Sequence, residues 1–419
     1  MLSDSLYGLR KRLAFPRTSI QLSLLGLFGG IVAALLIVVF RLTIEFIRNT
    51  FAEGGPFDEL LEYIIPTLPI FAALLIAIFA DFTGFKHYRL GIPFVLHRIK
   101  AHYGSIPFWN FANQFVGGIL ALSSGFSVGR EGPSVHIGAT GSSWFGHWLK
   151  LPHNAVRTLT ACGIAAGISA SFNTPLAAVI FVMEVVLREY KIHIFIPVML
   201  ASSAGAIITQ AVFGEYAEFE YLSVFILPLS HYPWLIILGI TLGGFAFIFN
   251  KNLMRVIKTF RHVAMMPRLA LAGLLTATIG YLFQPALGEG TSAIATIMQS
   301  PDDVHLILKL LLAKLLLVWI AIGLGIPGGI IGPIFGLGVL VGLAIGNIVI
   351  QVDPSVHFLS TYAVLGMAGL MAATLHAPLA ALVAVMELTS NPDAITPAII
   401  VIAMAYITSA QFLKNRSIF

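Results

Sequence analysis

CGIAAGISASFNTPLAAVIFVMEV, residues 162–185, returns 203 residues further on as LGMAGLMAATLHAPLAALVAVMEL, residues 365–388, without a gap and identical at ten of 24 positions. Apolar bias scatters a few matches. It does not align Pro175 with Pro378, or Met183-Glu184 with Met386-Glu387. The chain is therefore read as two related halves of an apolar, helix-rich protein.

Composition sets the solvent. Of 419 residues 58% are apolar and only 10% charged, with mean hydropathy +0.92. A soluble domain carries roughly 25% charged residues, and 43 acidic and basic side chains (Asp, Glu, Lys and Arg) cannot cover a globule of this length. A soluble enzyme, a disordered chain and a collagen-like rod are excluded; an all-α polytopic membrane protein in a lipid bilayer is expected. The net charge of +5 is spread over several clusters, which argues against a nucleic-acid partner. The lone Cys162 excludes a disulfide framework and a Cys-based metal site. The basic N-terminus, Met1 to Arg17, precedes an apolar run without a small-residue cleavage site, so that run reads as a first span and not a removed signal.

A crossing helix needs about 20 apolar residues. Runs of that kind cover 19–48, 63–82, 192–213, 232–250, 303–325 and 394–413. Between them lie pieces too short or too broken by Gly and Pro to cross alone: 106–125, 133–149, 155–170, 172–187, 328–350, 359–373 and 376–388. Backbone breaks at membrane depth survive only where protein buries them or water reaches them. Many partial helices thus imply a bundle around an internal ionic site, which points to transport.

Basic clusters at Arg10, Lys11, Arg12 and Arg17, at Lys86, Arg89, Arg98 and Lys100, at 251–268, and at Lys414 and Arg416 place both termini in the cytoplasm. The acidic stretches 53–62 and 214–220 then lie outside. A first half that starts inside and ends outside crosses an odd number of times, so the second half is inverted. The expected layout is a cytoplasmic segment 1–17, a first inverted repeat 18–213, an external linker 214–231 and a second repeat 232–419. Inverted repeats with broken helices and a midplane site are a recurring transporter plan.

Three Gly/Pro segments open short helices: Leu90-Gly91-Ile92-Pro93, Gly129-Arg130-Glu131-Gly132-Pro133, and 325–333, GIPGGIIGP. Pro suits the first helical turn, and Gly lets backbone approach a ligand. Each segment offers a helix N-terminus whose amides and dipole attract an anion. Close packing through small residues is the competing explanation for any one of them. Glu131, a carboxylate at such an N-terminus, is a tethered competitor for the anion held by the same amides. Protonation removes its charge and frees it to swing away.

These residues resemble the CLC family of chloride channels and chloride/proton antiporters: GREGPSVHIGA at 129–139, LGIP at 90–93 and PGGIIGP at 327–333, over nearly the whole chain. The resemblance implies a homodimer with one anion pathway per subunit, tilted and partial helices numbering 18 in the family pattern, and a bacterial inner-membrane location. It makes Glu131 the outer gate. The amides of Gly132, Ile330 and Ile331 would line the anion path, Gly91 and Ile92 the turn aiming the inner helix, and Arg130 the outer mouth. His136 reads as a packing residue. The partners implied are chloride and protons, and no cofactor is expected.

Three departures bear on function. The family's central serine falls at Leu90 and its pore tyrosine at Phe419, so neither supplies a hydroxyl, although Phe419 can still form an inner gate. The acidic residue by which antiporters of the family take up internal protons is replaced by Val185, next to Glu184. Val185 favours passive, channel-like chloride conduction; proton-coupled exchange is the alternative, with Glu189 one turn on as a substitute. Fluoride export is a further family option that the intact GREGP disfavours. For a membrane enzyme, the 12 histidines are scattered and no HExxH or Walker segment occurs.

Overall fold

Glycine, proline and left-handed residues divide the apolar chain into helices. The computed structural model describes residues 19–50, 64–85, 90–215, 218–222, 224–352 and 358–419. The charged residues expected to orient the chain at 10–17, 53–62, Lys86 and Arg89 lie outside these.

The described residues form sixteen α-helices: α1 Ser19–Thr50, α2 Leu68–Phe82, α3 Gly91–Ala101, α4 Phe108–Ser123, α5 Glu131–Trp148, α6 His153–Phe172, α7 Pro175–Phe181 and α8 Ile192–Phe213 come first. Then follow α9 Tyr232–Phe260, α10 Met265–Leu282, α11 Thr291–Met298, α12 Val304–Leu324, α13 Ile331–Ile350, α14 Leu359–Leu375, α15 Pro378–Thr389 and α16 Ile395–Tyr406. Nine helical stretches among the described residues are long and apolar enough to cross a membrane. Exposed Phe46, Phe82, Ile192 and Leu282 present apolar side chains that suit lipid.

The repeat seen in the sequence is a repeat of backbone. α6 ends at left-handed Asn173 (φ 55°) and α14 at left-handed His376 (φ 57°), each 203 residues apart, and each is followed by a helix opening on proline. The halves then differ: after α7 the chain widens to a π-helical turn, Val182–Leu187, whereas α15 runs on to Thr389. A second departure from expectation lies at 251–268, expected to be a loop. α9 continues to Phe260 and α10 begins at Met265, so only four residues join them.

Two compact units divide the described residues. One draws on Met1–Leu42, Arg89–Phe115 and Gly132–Ala217, the other on Thr43–Tyr88, Val116–Glu131 and Glu218–Phe419. Within the first, α5 and α6 meet backbone to backbone. A Cβ on Gly167 would lie 3.2 Å from the Gly138 Cα, and one on Gly163 2.7 Å from the Ser142 Cβ. Within the second, α13 and α14 meet in the same manner, with a Cβ on Gly366 3.0 Å from the Gly342 Cα. Lipid tails give no hydrophobic drive to helix association, so close van der Waals contact through small residues carries it. The buried Arg41 finds partners inside the first unit: its guanidinium donates to the Ala170 carbonyl at 3.0 Å, in the last turn of α6, and lies over the Phe213 ring.

Candidate functional site

In the second unit the loops before α5 and α13 are joined. Gly129 and Gly329 exchange backbone hydrogen bonds, the Gly129 amide reaching the Gly329 carbonyl at 2.8 Å, as an isolated antiparallel bridge. The bridge carries Glu131, first residue of α5, to the start of α13. Glu131 is 3% exposed, and neither carboxyl oxygen makes a hydrogen bond of ordinary geometry. Its oxygens rest against glycines: a Cβ on Gly332 would come within 3.0 Å of Oε1, and one on Gly129 within 2.7 Å of the same atom. The amides of Glu131 and Gly332 act on the carboxyl, as do the charges of Glu289 and Arg130.

Ile330 and Ile331 are buried at the mouth of α13, and no side chain caps that helix. Its first amides are orphans of the helical ladder. They form a small field of partial positive charge in which the Glu131 carboxylate now sits. The structure thus brings Glu131, Ile330, Ile331 and the Gly332 amide together. The Arg130 guanidinium is engaged with the Glu218 carboxylate, and both side chains are largely buried. Arg130 is anchored by that ion pair; it is not a loose cation at a mouth.

Leu90, Gly91 and Ile92 fall in the first unit. Leu90 is extended and caps nothing, as expected of an apolar side chain at that place. Gly91 has φ +71°, a conformation that glycine adopts without strain. Its amide is not open to an anion: it donates to Nδ1 of His136, on α5, at 3.2 Å. An accepting Nδ1 leaves the ring proton on Nε2 of the neutral imidazole. His136 is fully buried and stacks on Phe94 with ring centroids 5.0 Å apart. Sequence reasoning rated His136 a packing residue; it also caps α3 from a neighbouring helix.

Phe419 belongs to the second unit. The run that carries it is tied down: Asn250 donates to the Arg416 carbonyl at 3.1 Å, Ser417 donates to the Leu375 carbonyl at 2.8 Å, and the Phe419 amide donates to the Ser417 hydroxyl at 3.3 Å. The ring therefore sits on a chain fixed to α9 and α14.

Val185 is buried in the π-helical turn beside half-buried Glu184. Glu189 is a surface carboxylate: Lys191 hydrogen-bonds it and holds its carboxyl below the usual glutamate range. That position does not suit a group meant to pick up protons near neutral pH. Gly125-Phe126-Ser127-Val128-Gly129 has the GxSxG spacing of a hydrolase nucleophile, yet the buried Ser127 hydroxyl has no hydrogen-bond partner to activate it.

Two further charges were not anticipated, Glu289 and Lys314. Lys314 is wholly buried in α12 and donates to the Ala286 carbonyl at 3.2 Å and to the Gly288 carbonyl. A lysine inside an apolar span is a signal in its own right, and Glu289 sits between two glycines at 288 and 290.

A duplicated, partial-helix bundle with a buried carboxyl at paired helix starts defines a class, and comparison with known proteins gives the same one. The family model described as voltage gated chloride channel matches residues 70–410, and the chain belongs to this CLC family. It is 32% identical over 318 residues to the H(+)/Cl(-) exchange transporter ClcA of Klebsiella pneumoniae subsp. pneumoniae, covering 73% of this chain and 67% of that protein. To the transporter of that name from Citrobacter koseri it is 29% identical over 431 residues, covering 98% and 90%. The crystal structure of a slow cyanobacterial Cl-/H+ antiporter shares the fold, with a TM-score of 0.77 at 24% identity over 95% of each chain.

Proposed function

We propose that the protein exchanges chloride for protons across a membrane, with Glu131 as the outer protonatable gate. The observation that carries the proposal is the Glu131 carboxyl itself, buried without a hydrogen-bonded partner in the place at the start of α13 that backbone amides make attractive to an anion. Ionised, the side chain fills the site; protonated, it loses the attraction and yields the site to chloride. Anion and proton thereby compete for one place.

Val185 alone favours passive conduction. The relatives that cover almost the whole chain are named as proton/chloride exchangers, which favours coupling. Exchange is therefore the main reading and passive conduction the second, resting on Val185. The remaining parts of the proposal are an anion path lined by Leu90, Ile92, Arg130, Gly132, Ile330 and Ile331, with Phe419 as inner gate, in a homodimer with both termini cytoplasmic.

The test is the reversal potential of purified protein in a bilayer under opposed chloride and proton gradients. Exchange requires the potential to move away from chloride equilibrium when pH alone is changed; a potential pinned to chloride at every pH refutes it. Glu131→Gln, a permanent mimic of the protonated gate, should keep chloride flux while removing proton coupling and pH dependence. Persistent coupling in that variant would remove Glu131 from the gating role.

A further inference from the structure

Glu131 has a second carboxylate, Glu289, on the loop packed against its seat in the same unit, and two cations lie by that loop. The loop 286–290 sits against the loop that seats Glu131. A Cβ placed on Gly332 would meet Glu131 Oε1 at 3.0 Å and the Glu289 carbonyl oxygen at 3.5 Å, and one on Gly290 would meet the Gly332 carbonyl at 3.2 Å. The Glu289 charge acts on the Glu131 carboxyl. Lys314 pins this loop through the carbonyls of Ala286 and Gly288, and its ammonium acts on Glu289. On the other side, Arg48 Nη2 approaches Glu289 Oε1 at 3.8 Å while donating to the Leu122 carbonyl at 3.1 Å. The exposures grade outward: the Glu131 residue is 3% exposed, the Glu289 side chain 10% and the Arg48 side chain 43%.

From this arrangement we infer that Glu289 relays protons between Glu131 and the water beyond Arg48. The step is a proton transfer only. The O–H bond of protonated Glu131 breaks, an O–H bond forms on the Glu289 carboxylate, and that proton then passes to water; inward delivery is the reverse. The geometry suits the role. Arg48 is too far for a tight ion pair, and Lys314 spends its hydrogen bonds on carbonyls. Glu289 thus has its charge balanced by two cations without its oxygens being locked. Glu131, Arg130 (itself paired with Glu218), Lys314 and Arg48 are the charged groups that face this exchange. As positive charges flank the acceptor and a carboxylate flanks the donor, each proton state of the pair is accommodated. Like-charged carboxyls in one site share protons in steps that belong to the pair.

The inference rests on the exchange reading, and one experiment separates the two. Full-length protein in liposomes is assayed for chloride and proton flux over a range of pH as the native sequence, Glu289→Gln, Glu289→Asp, and each in the Glu131→Gln background. General acid–base groups are worth about 10²-fold or more, so Glu289→Gln should slow proton flux by about tenfold at least and change its pH profile, with Glu289→Asp restoring most of it. In the Glu131→Gln background, which keeps chloride flux but hands over no proton, Glu289→Gln should leave chloride flux unchanged. A Glu289→Gln protein with native proton flux and pH profile overturns the relay. Equal slowing of chloride flux in both backgrounds overturns it too, because the residue then serves the anion path or the fold. Absence of proton flux in the native sequence overturns exchange, and the relay with it.

Discussion

Replacing Gly332 by alanine tests the seat of the gate directly. The added methyl would lie 3.0 Å from Glu131 Oε1, 3.4 Å from the Gly129 Cα and 3.5 Å from the Glu289 carbonyl oxygen. The two backbone neighbours are at ordinary contact distance, and both are tied down: Gly129 by its bridge to Gly329, and the Glu289 loop by the Gly288 amide, which donates to the Gly125 carbonyl at 2.8 Å. The carboxyl is the neighbour free to move. Overpacking of this size costs about 1–3 kcal/mol. If the seated conformation of Glu131 bears the whole cost, the ratio of seated to displaced gate falls by about 5–150-fold. Chloride efflux from liposomes at neutral pH should rise accordingly, and its dependence on acid should flatten. The control is Glu131→Ala, in which the methyl meets no carboxyl and the Gly332→Ala effect on efflux should nearly vanish. The reasoning fails if Gly332→Ala leaves efflux and its pH dependence native, or if the change persists undiminished in the Glu131→Ala background.

Other substitutions probe the rest of the site. Leu90→Ser places a hydroxyl at the start of α3; one added hydrogen bond is worth about 1 kcal/mol, so chloride affinity by titration calorimetry should tighten about fivefold, and unchanged affinity would place the anion path away from residue 90. His136→Ala removes the acceptor of the buried Gly91 amide. The orphaned donor should cost about 1–3 kcal/mol, read as a lower thermal midpoint in detergent, and an unchanged midpoint would show that the capping bond contributes nothing. Gly163→Val drives a branched side chain into the Gly138 carbonyl and the Ser142 side chain of α5; it should abolish the monodisperse elution profile, and normal folding and flux would refute the small-residue account of that helix contact.

Much of the fold was legible because its breaks are chemical. The long apolar runs at 192–213 and 303–325 return as α8 and α12 almost to the residue. Pro175 and Pro378 open helices, as proline in a first turn should. The basic run from 251 misled because its charges suggested a loop. Lys251, Arg255 and Lys258 instead share an exposed face of α9 at helical spacing, and Leu253 turns inward. A charged face of a helix and a charged loop look alike until spacing is weighed. Glu131 was readable from its motif, although the helix start it rests against lies far along the chain, at Gly332. Lys314, Glu289 and the capping role of His136 were not. Lys314 answers to carbonyls 26 and 28 residues away, and His136 to an amide 45 residues away. Neighbours in sequence carry no sign of such partners.

The stitch between Gly129 and Gly329 has a consequence for how the two halves of a duplicated ancestor drift apart. Main-chain bonds are indifferent to the letters around them, so GREGP and GGIIGP could lose nearly all resemblance and still clasp each other. In the chain as it stands, one of the paired positions carries an acid, Glu131, and the other an apolar side chain, Ile331. Asymmetry of task grew here on a symmetry that no side chain enforces.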